Sequence, residues 1–460
     1  VLEQKSLSTF LEAVRKLDAG FAGLPEFSSN LPSEKQLADV LNATAERLQD
    51  NYPYFHPLYA GQMLKPPHPV ARLAYALAMW VNPNNHALDG GRATSVMEKE
   101  AVAEIAAMFG VRNFLGHLCG GGTMANLEAL WVAGQLQPGK KILASEQAHY
   151  THRRISGVLR LDFESVPADS LGRMDVEELK NHVVRGHVGT VVVTMGTTAT
   201  GSVDRLPEIL SLREKYGFRI HADAAYGGYF VMAQNLEAPA KAAFARIDEV
   251  DSIVVDPHKH GLQPYGCGCV LFRDPSVGRL YKHDSPYTYF TSTELHLGEI
   301  SLECSRPGAA AAALWATQKL LPLVKGGEFV RGLERGRSAA LALHRKLKTN
   351  GQFVTAFVPE LDILVFAPRA RSVSEMSACS RLTFAAAATR GLHLAVAELP
   401  VSFLEPQLDA SVERDRETLT YLRSVLMKPE HLDWVDRIWE ILTASVREAR
   451  GKASLQAGTV

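Results

Sequence analysis

The stretch VVDPHKHG, Val254 to Gly261, ends an apolar β-branched run at Asp256-Pro257 and then sets His258, Lys259 and His260 in a row. Valine favours a pleated strand and proline cannot extend one, so the run reads as a buried strand whose end presents a lysine. Similar runs recur at 140–145 (KKILAS), 189–196 (GTVVVTMG), 218–224 (FRIHADA), 251–256 (DSIVVD) and 266–272 (GCGCVLF). Helical stretches such as TMANLEALWVAGQL, VEELKNHVV and RLPEILSLREKYG separate them. Continuous apolar strands alternating with helices predict an α/β chain with a mostly parallel sheet covered on both faces. In such a sheet the ligand site lies at the carboxyl ends of the strands, where Lys259 is placed.

The chain of 460 residues exceeds what one core of roughly 250 to 300 residues fills, so more than one domain is expected. Residues 1–65 read as a helical, then extended N-terminal segment, 66–329 as the large domain and 330–460 as a smaller α+β C-terminal domain. In the last, FVTAFVPELDILVFAPRA reads as two strands followed by helical segments to the end. The Pro- and aromatic-rich NYPYFHPLYAGQMLKPPHP cannot be one regular element, and its aromatic residues need a cover that a second subunit would supply.

With 49 basic and 50 acidic residues the net charge is −1, which argues against nucleic acid or an anionic membrane as partner. The five cysteines show no disulfide framework, and Cys267-x-Cys269 lacks the second pair a zinc site needs, so no metal is expected. VLEQKSLSTFLEAVRKLDAG has no apolar core of the signal-peptide kind, and no run approaches the roughly 18 apolar residues of a membrane span. Reduced thiols and a cytoplasmic location are the expectation.

Four polar motifs fall at predicted strand ends. Gly120-Gly121-Gly122-Thr123 feeds a helix, which makes either a phosphate cradle or a glycine turn. His149 follows KKILAS and is either a satisfied loop residue or a functional imidazole. Asp223 ends FRIHADA, where a poorly solvated carboxylate wants a cation, although aspartate also caps helices. Lys259, if desolvated, is a nucleophile toward carbonyls; exposed, it is an ordinary lysine. Together these groups ask for a phosphate, an aldehyde, a basic ring nitrogen and a flat ring, all of which pyridoxal 5'-phosphate provides.

From His56 to Leu320 the chain resembles the group II pyridoxal-phosphate-dependent decarboxylases, which include aromatic amino acid, glutamate and archaeal tyrosine decarboxylases. The resemblance rests on GGGTMANLEAL, SEQAHYTHRR, VTMGTTATGSVD, HADAAYGGYF, DPHKHG and ECSRPGAAAAALW, in that order. It implies fold type I, as in aspartate aminotransferase, and a homodimer with its active sites at the interface. It implies a Schiff base on Lys259, Asp223 at the pyridine nitrogen, His149 stacked on the ring and Ala225 on the other face. Gly121, Gly122, Thr123 and His258 would hold the phosphate, with Thr198 near the cofactor or Asp223. Departures from the family pattern are Cys119-Gly120 before the glycines, Asp256 where many members have Asn, and HKHG, which resembles the HKYG of sphingosine phosphate lyases.

The implied reaction is decarboxylation of an aromatic or acidic L-amino acid to an amine and CO2, as part of amino acid metabolism. Tyr287 and Tyr289 are candidates for the general acid or packing residues, and Arg92 and Arg306 are candidate substrate-binding cations, Arg92 against a solvated loop charge and Arg306 as an anion clamp or a structural ion pair. The alternatives are a carbon–carbon lyase of the sphingosine phosphate lyase type and a decarboxylation-dependent aldehyde synthase.

Overall fold

Seven strands form the larger sheet of the computed structural model, which describes residues 4–25, 27, 31–282 and 297–457. They are β1 (Leu115–Cys119), β2 (Lys141–Ser145), β3 (Phe163–Val166), β4 (Val188–Thr194), β5 (Arg219–Asp223), β6 (Ser252–Val255) and β7 (Gly268–Phe272). Their order is β1-β7-β6-β5-β4-β2-β3, and only β7 runs against its neighbours. The β-branched runs of β4 and β6 are buried almost end to end, because helices cover both faces of the sheet.

Before the sheet come α1 (Gln4–Ala19), α2 (Glu34–Leu48), α3 (Pro69–Met79) and α4 (Arg92–Met108). Between and after the strands lie α5 (Gly122–Leu136), α6 (Thr151–Leu159), α7 (Val176–Val184), α8 (Leu206–Tyr216), α9 (Ala238–Phe244) and α10 (Gly308–Leu320). Local chemistry sets their ends. Asp175 accepts from the Glu177 and Glu178 N–H groups to start α7, and Gly217 at φ +72° stops α8 in the left-handed conformation that glycine tolerates.

The chain continues through α11 (Glu328–Thr349), β8 (Phe353–Thr355), β9 (Ile363–Pro368), α12 (Val373–Ala388), β10 (Ala395–Pro400), β11 (Thr418–Val425) and α13 (His431–Ala457). The expectation of two strands followed only by helices is corrected here: four strands form an antiparallel sheet in the order β10-β11-β9-β8. β11 is central and buried on both faces apart from its first residue, so it lacks the alternation that marks a strand; β10, AVAELP, is built of weak strand formers. β3, FESV, escaped notice because it is a four-residue edge strand.

The aromatic segment is partly covered by its own chain. Tyr59 and Ala60 are buried, the Ala60 N–H donates to His393 O (2.8 Å), and His56 packs edge-on to Trp434, whereas Tyr52 and Phe55 stay exposed. Neither α1 nor α2 buries a single residue, and Leu7, Leu11, Leu37, Val40, Leu41 and Leu48 all face solvent. Among the described residues no helix is long and apolar enough to cross a membrane.

Candidate active site

A cavity of about 480 Å³ opens at the carboxyl ends of β4, β5 and β6, against the first turn of α5. The pairing explains its floor: Thr194 lies opposite Asp223, and Asp223 opposite Val254, so these strands end level with one another. After β6 the chain turns sharply, with the Lys259 N–H donating to Asp256 O (2.9 Å) and the His258 N–H to Cys267 O (3.1 Å). Lys259 Nζ reaches into the cavity wall and lies 3.0 Å from Asp256 Oδ2.

Asp223 is buried, and its carboxylate accepts the His152 Nε2–H at 2.7 Å and the Ala225 N–H at 3.1 Å. Burial alone would raise its pKa. The His152 hydrogen bond and charge, then the charge of Lys259, outweigh burial and hold the carboxyl well below the usual carboxylate range. His221, two residues earlier on β5, spans Asn126 Oδ1 and Ser252 Oγ, each at 2.8 Å. Burial, reinforced by the charge of His152, pushes its pKa down to about 3, so it is a neutral strut. The result is an ionised carboxylate at the cavity floor, aimed where a cationic ring nitrogen would be stabilised.

The glycine run forms the opposite wall. β1 ends at Cys119 and α5 begins at Gly122, with Gly121 at φ +136°, a conformation open to glycine. The first helical N–H groups, those of Gly122, Thr123 and Met124, have no acceptor within the helix. Side chains would fill this hollow: a Cβ on Gly122 would lie 2.7 Å from Asp256 Oδ2, and one on Gly121 would lie 3.1 Å from His258 Cε1. Thr194 Oγ1, Asp256 Oδ1 and His258 Nδ1 around the cavity are buried with no hydrogen-bond partner among the described residues. A glycine cradle with free N–H groups, orphaned polar atoms, a lysine and a buried carboxylate fits a ligand with a phosphate, a carbonyl carbon and a basic ring nitrogen, as pyridoxal 5'-phosphate is.

Gly121, Gly122, Thr123, His149, Thr198, Asp223, Ala225, His258 and Lys259 all line this one cavity. His149 is half-buried, its Nδ1 accepting the Thr151 N–H (3.3 Å) and lying 2.8 Å from the Thr151 hydroxyl. Burial lowers its pKa; the charge of Asp223 opposes this and that of Lys259 adds to it. His258 is lowered by burial as well, and its ring packs on Tyr265 with centroids 4.7 Å apart.

Two expected substrate contacts lie elsewhere. Arg306 is buried outside the cavity, where its guanidinium donates to Glu98 (2.8 Å), to Leu118 O and to Asn85 O. Its donors tie β1 to α4 and to the 82–91 loop, an arrangement that supports the structural ion-pair reading. Arg92 opens α4 with an exposed side chain and does not line the cavity. Tyr287 and Tyr289 lie outside the described residues.

Three lining or supporting groups escaped the sequence, His152, Asn126 and Glu303, which accepts the Gly120 N–H at 2.9 Å, and Asp256, noted there only as a departure from the family pattern, lines the cavity as well. The spacing of His149 and His152, one turn apart beside α6, was the available signal.

Residues 123–368, more than half of the chain, match the pyridoxal-dependent decarboxylase conserved domain. The L-tyrosine decarboxylase of Enterococcus faecium is 25% identical, over 92% of this chain and 90% of that protein. A probable L-tyrosine/L-aspartate decarboxylase of Methanococcus maripaludis is 28% identical, over 71% of this chain and 84% of that protein. The crystal structure of Oryza sativa TDC with PLP and tryptamine superposes with a TM-score of 0.76 at 15% identity, over 97% of this chain and 99% of that one. This last likeness shows the fold, which is the expected α/β fold type I.

Proposed function

The chain belongs to the pyridoxal-dependent decarboxylase family and is a carboxy-lyase that uses pyridoxal 5'-phosphate on an amino acid; from that premise we propose that its substrate is an aromatic L-amino acid, with tyrosine first. The charge of the cavity carries this choice. Among the described residues Lys259 is the only lysine or arginine lining it, while Asp223, Asp256 and Glu303 are carboxylates and Met124 and Leu127 are apolar. An acidic side chain would enter without a spare cation and against like charge, whereas an aromatic ring meets apolar wall.

When bound, the cofactor supplies a carbonyl carbon for amines and a protonated ring that accepts the electron pair left as CO2 departs. In our reading Lys259 holds it covalently. The N–H groups of Gly122, Thr123 and Met124, the Thr123 hydroxyl and His258 hold its phosphate. Asp223, kept ionised by His152, holds the proton at the ring nitrogen, and His149 and Ala225 flank the ring, with Thr198 at its edge. Tyr287 and Tyr289 are our candidates for the acid that returns a proton to the α-carbon.

We further propose a homodimer in which the uncovered apolar faces of α1 and α2, within segment 1–65, pack on the partner. The large unit then spans 66–329 and the small one 330–460. Five free thiols fit a cytoplasmic home.

The test is CO2 release from tyrosine, dopa, aspartate, glutamate and cysteine sulfinate by cofactor-loaded protein, with amine and aldehyde products separated. Turnover of tyrosine or dopa to amine at least tenfold above the acidic substrates is expected. Preference for an acidic substrate would overturn the aromatic reading, and aldehyde with peroxide would identify an aldehyde synthase instead.

A further inference from the structure

His260, adjacent to Lys259, takes no part in the cavity wall and is fully buried behind it. Its Nδ1 lies 2.9 Å from Tyr226 O and its Nε2 lies 2.8 Å from Asp362 Oδ2. A backbone carbonyl only accepts, so Nδ1 must donate to it. The carboxylate of Asp362 already accepts the Tyr226 hydroxyl on its other oxygen, so Nε2 donates as well. With both ring nitrogens donating, His260 closes a circuit: His260 to Tyr226 O, Tyr226 OH to Asp362, and His260 to Asp362.

The aromatic rings of Tyr226 and Phe230 pack edge-on against it, with centroids 4.6 and 5.1 Å away. Lys65 and Arg423 bring positive charge to Asp362 from two other segments, whereas His431, whose pKa burial pushes down to about 3, stays neutral beside it. Burial would raise the Asp362 pKa, but the charge of His260, hydrogen bonds from His260 and Tyr226 and the charge of Lys65 lower it, in keeping with a carboxylate.

The placement of the three residues gives the circuit a purpose. Tyr226 lines the cavity directly after Ala225, His260 directly follows Lys259, and Asp362 enters β9 of the small sheet. The circuit thus ties the backbone on both sides of the cofactor cavity to one carboxylate of the small unit. The turn between them has little slack: a Cβ on Gly261 would lie 2.5 Å from the Tyr229 hydroxyl and 2.6 Å from Pro257 Cα.

We propose that His260 is a positioning residue for Lys259: through Asp362 and Tyr226 it fixes the distance between the lysine amine and the Ala225 wall across which the cofactor lies. This rests on the reading of Lys259 as the cofactor's covalent anchor. Displacement of an amine by about 1 Å from its working position can cost on the order of 10²-fold in rate. Loss of His260 also leaves Asp362 short of a hydrogen-bond donor in a buried site.

The variants are His260→Gln, which offers one neutral donor, Asp362→Asn, the double variant, and the milder Tyr226→Phe, which removes only the hydroxyl link. Each is purified with cofactor. Four quantities are measured: the pH midpoint of the cofactor's visible absorption, the cofactor Kd, kcat against KM for the preferred substrate, and Tm.

We expect the absorption midpoint to move by half a pH unit or more, Kd to rise about tenfold and kcat to fall 10- to 100-fold with KM within threefold. The double variant should be no worse than the worse single one, and Tyr226→Phe, which keeps the fold, should show the same pattern at smaller size. A lower Tm with the absorption midpoint and kcat of the loaded fraction unchanged would overturn the proposal, leaving His260 a core residue. Borohydride reduction of the wild-type holoenzyme separates the two readings: a label on the Lys259 peptide keeps the anchor, and a label elsewhere removes that anchor and this inference together.

Discussion

Gly268 opens β7 opposite Cys119, and its Cα packs against the backbone of the phosphate cradle. A Cβ added there would lie 2.6 Å from both the Cα and the carbonyl carbon of Gly121 and 2.9 Å from its oxygen. Ordinary van der Waals contact starts at 3.4 Å, so Gly268→Ala requires a separation of at least 0.8 Å (3.4 − 2.6) between two stretches of main chain. No flexible side chain is available to yield. β7 is held by ladders on both sides, to β1 and to β6, so the movement falls on the glycine loop.

Overpacking of this kind costs about 1 to 3 kcal/mol, and if the cradle carries it the cofactor Kd rises by about 5- to 150-fold. Titration of cofactor into the apoprotein, followed by absorbance, measures the shift; urea unfolding of the apoprotein measures what is lost to the fold. Gly157→Ala is the control, since a Cβ there meets nothing within 4 Å on α6 and should add stability. A Gly268→Ala protein that binds cofactor like wild type would show that the cradle does not depend on this close approach.

Three further outcomes are expected. Arg306→Met should destabilise the apoprotein by about 3 to 5 kcal/mol in urea unfolding, because Glu98 is left buried with its charge unmatched, and a loss under 1 kcal/mol would contradict that assignment. Asp256→Asn should tighten cofactor binding about tenfold, by removing a carboxylate beside the phosphate cradle and adding a donor; unchanged or weaker binding in the same titration would put Asp256 away from the phosphate. His221 stays neutral in the folded chain down to about 3, whereas the unfolded chain protonates it below its ordinary 6.5, so it contributes stability above pH 6.5 that is lost as the pH falls toward 3. The slope from this group is up to about 1.4 kcal/mol per pH unit, and His221→Gln should flatten the urea stability profile over that window.

The central sheet was legible because its strands are buried on both faces and so appear as unbroken β-branched runs, as in VVV of β4 and IVV of β6. The candidate site was legible for the same reason: where such a run stops, polar residues face the cavity, as Asp223 does at the end of β5 and Asp256, His258 and Lys259 do after β6. Pairings across the fold left no local mark. Arg306 and Glu98 stand 208 positions apart, and nothing near ECSRPG distinguishes a buried strut from a substrate clamp. His152 is set by a tertiary partner 71 positions away. β11 was hidden by its own centrality, since Arg423 within it is buried and bonded and breaks any apolar pattern.

Arg423 also sets the order of events during synthesis. Its guanidinium donates to Ala199 O, Gly61 O and Thr198 O, so the wall of the cavity that bears Thr198 is fastened by a residue made 225 positions later. At about 5 to 20 residues per second, the ribosome takes roughly 11 to 45 s to cover that interval. The glycine cradle is present throughout that interval and the lysine joins it 61 residues in (259 − 198), yet the fastening is still missing, and a chain cut short before Arg423 never acquires it.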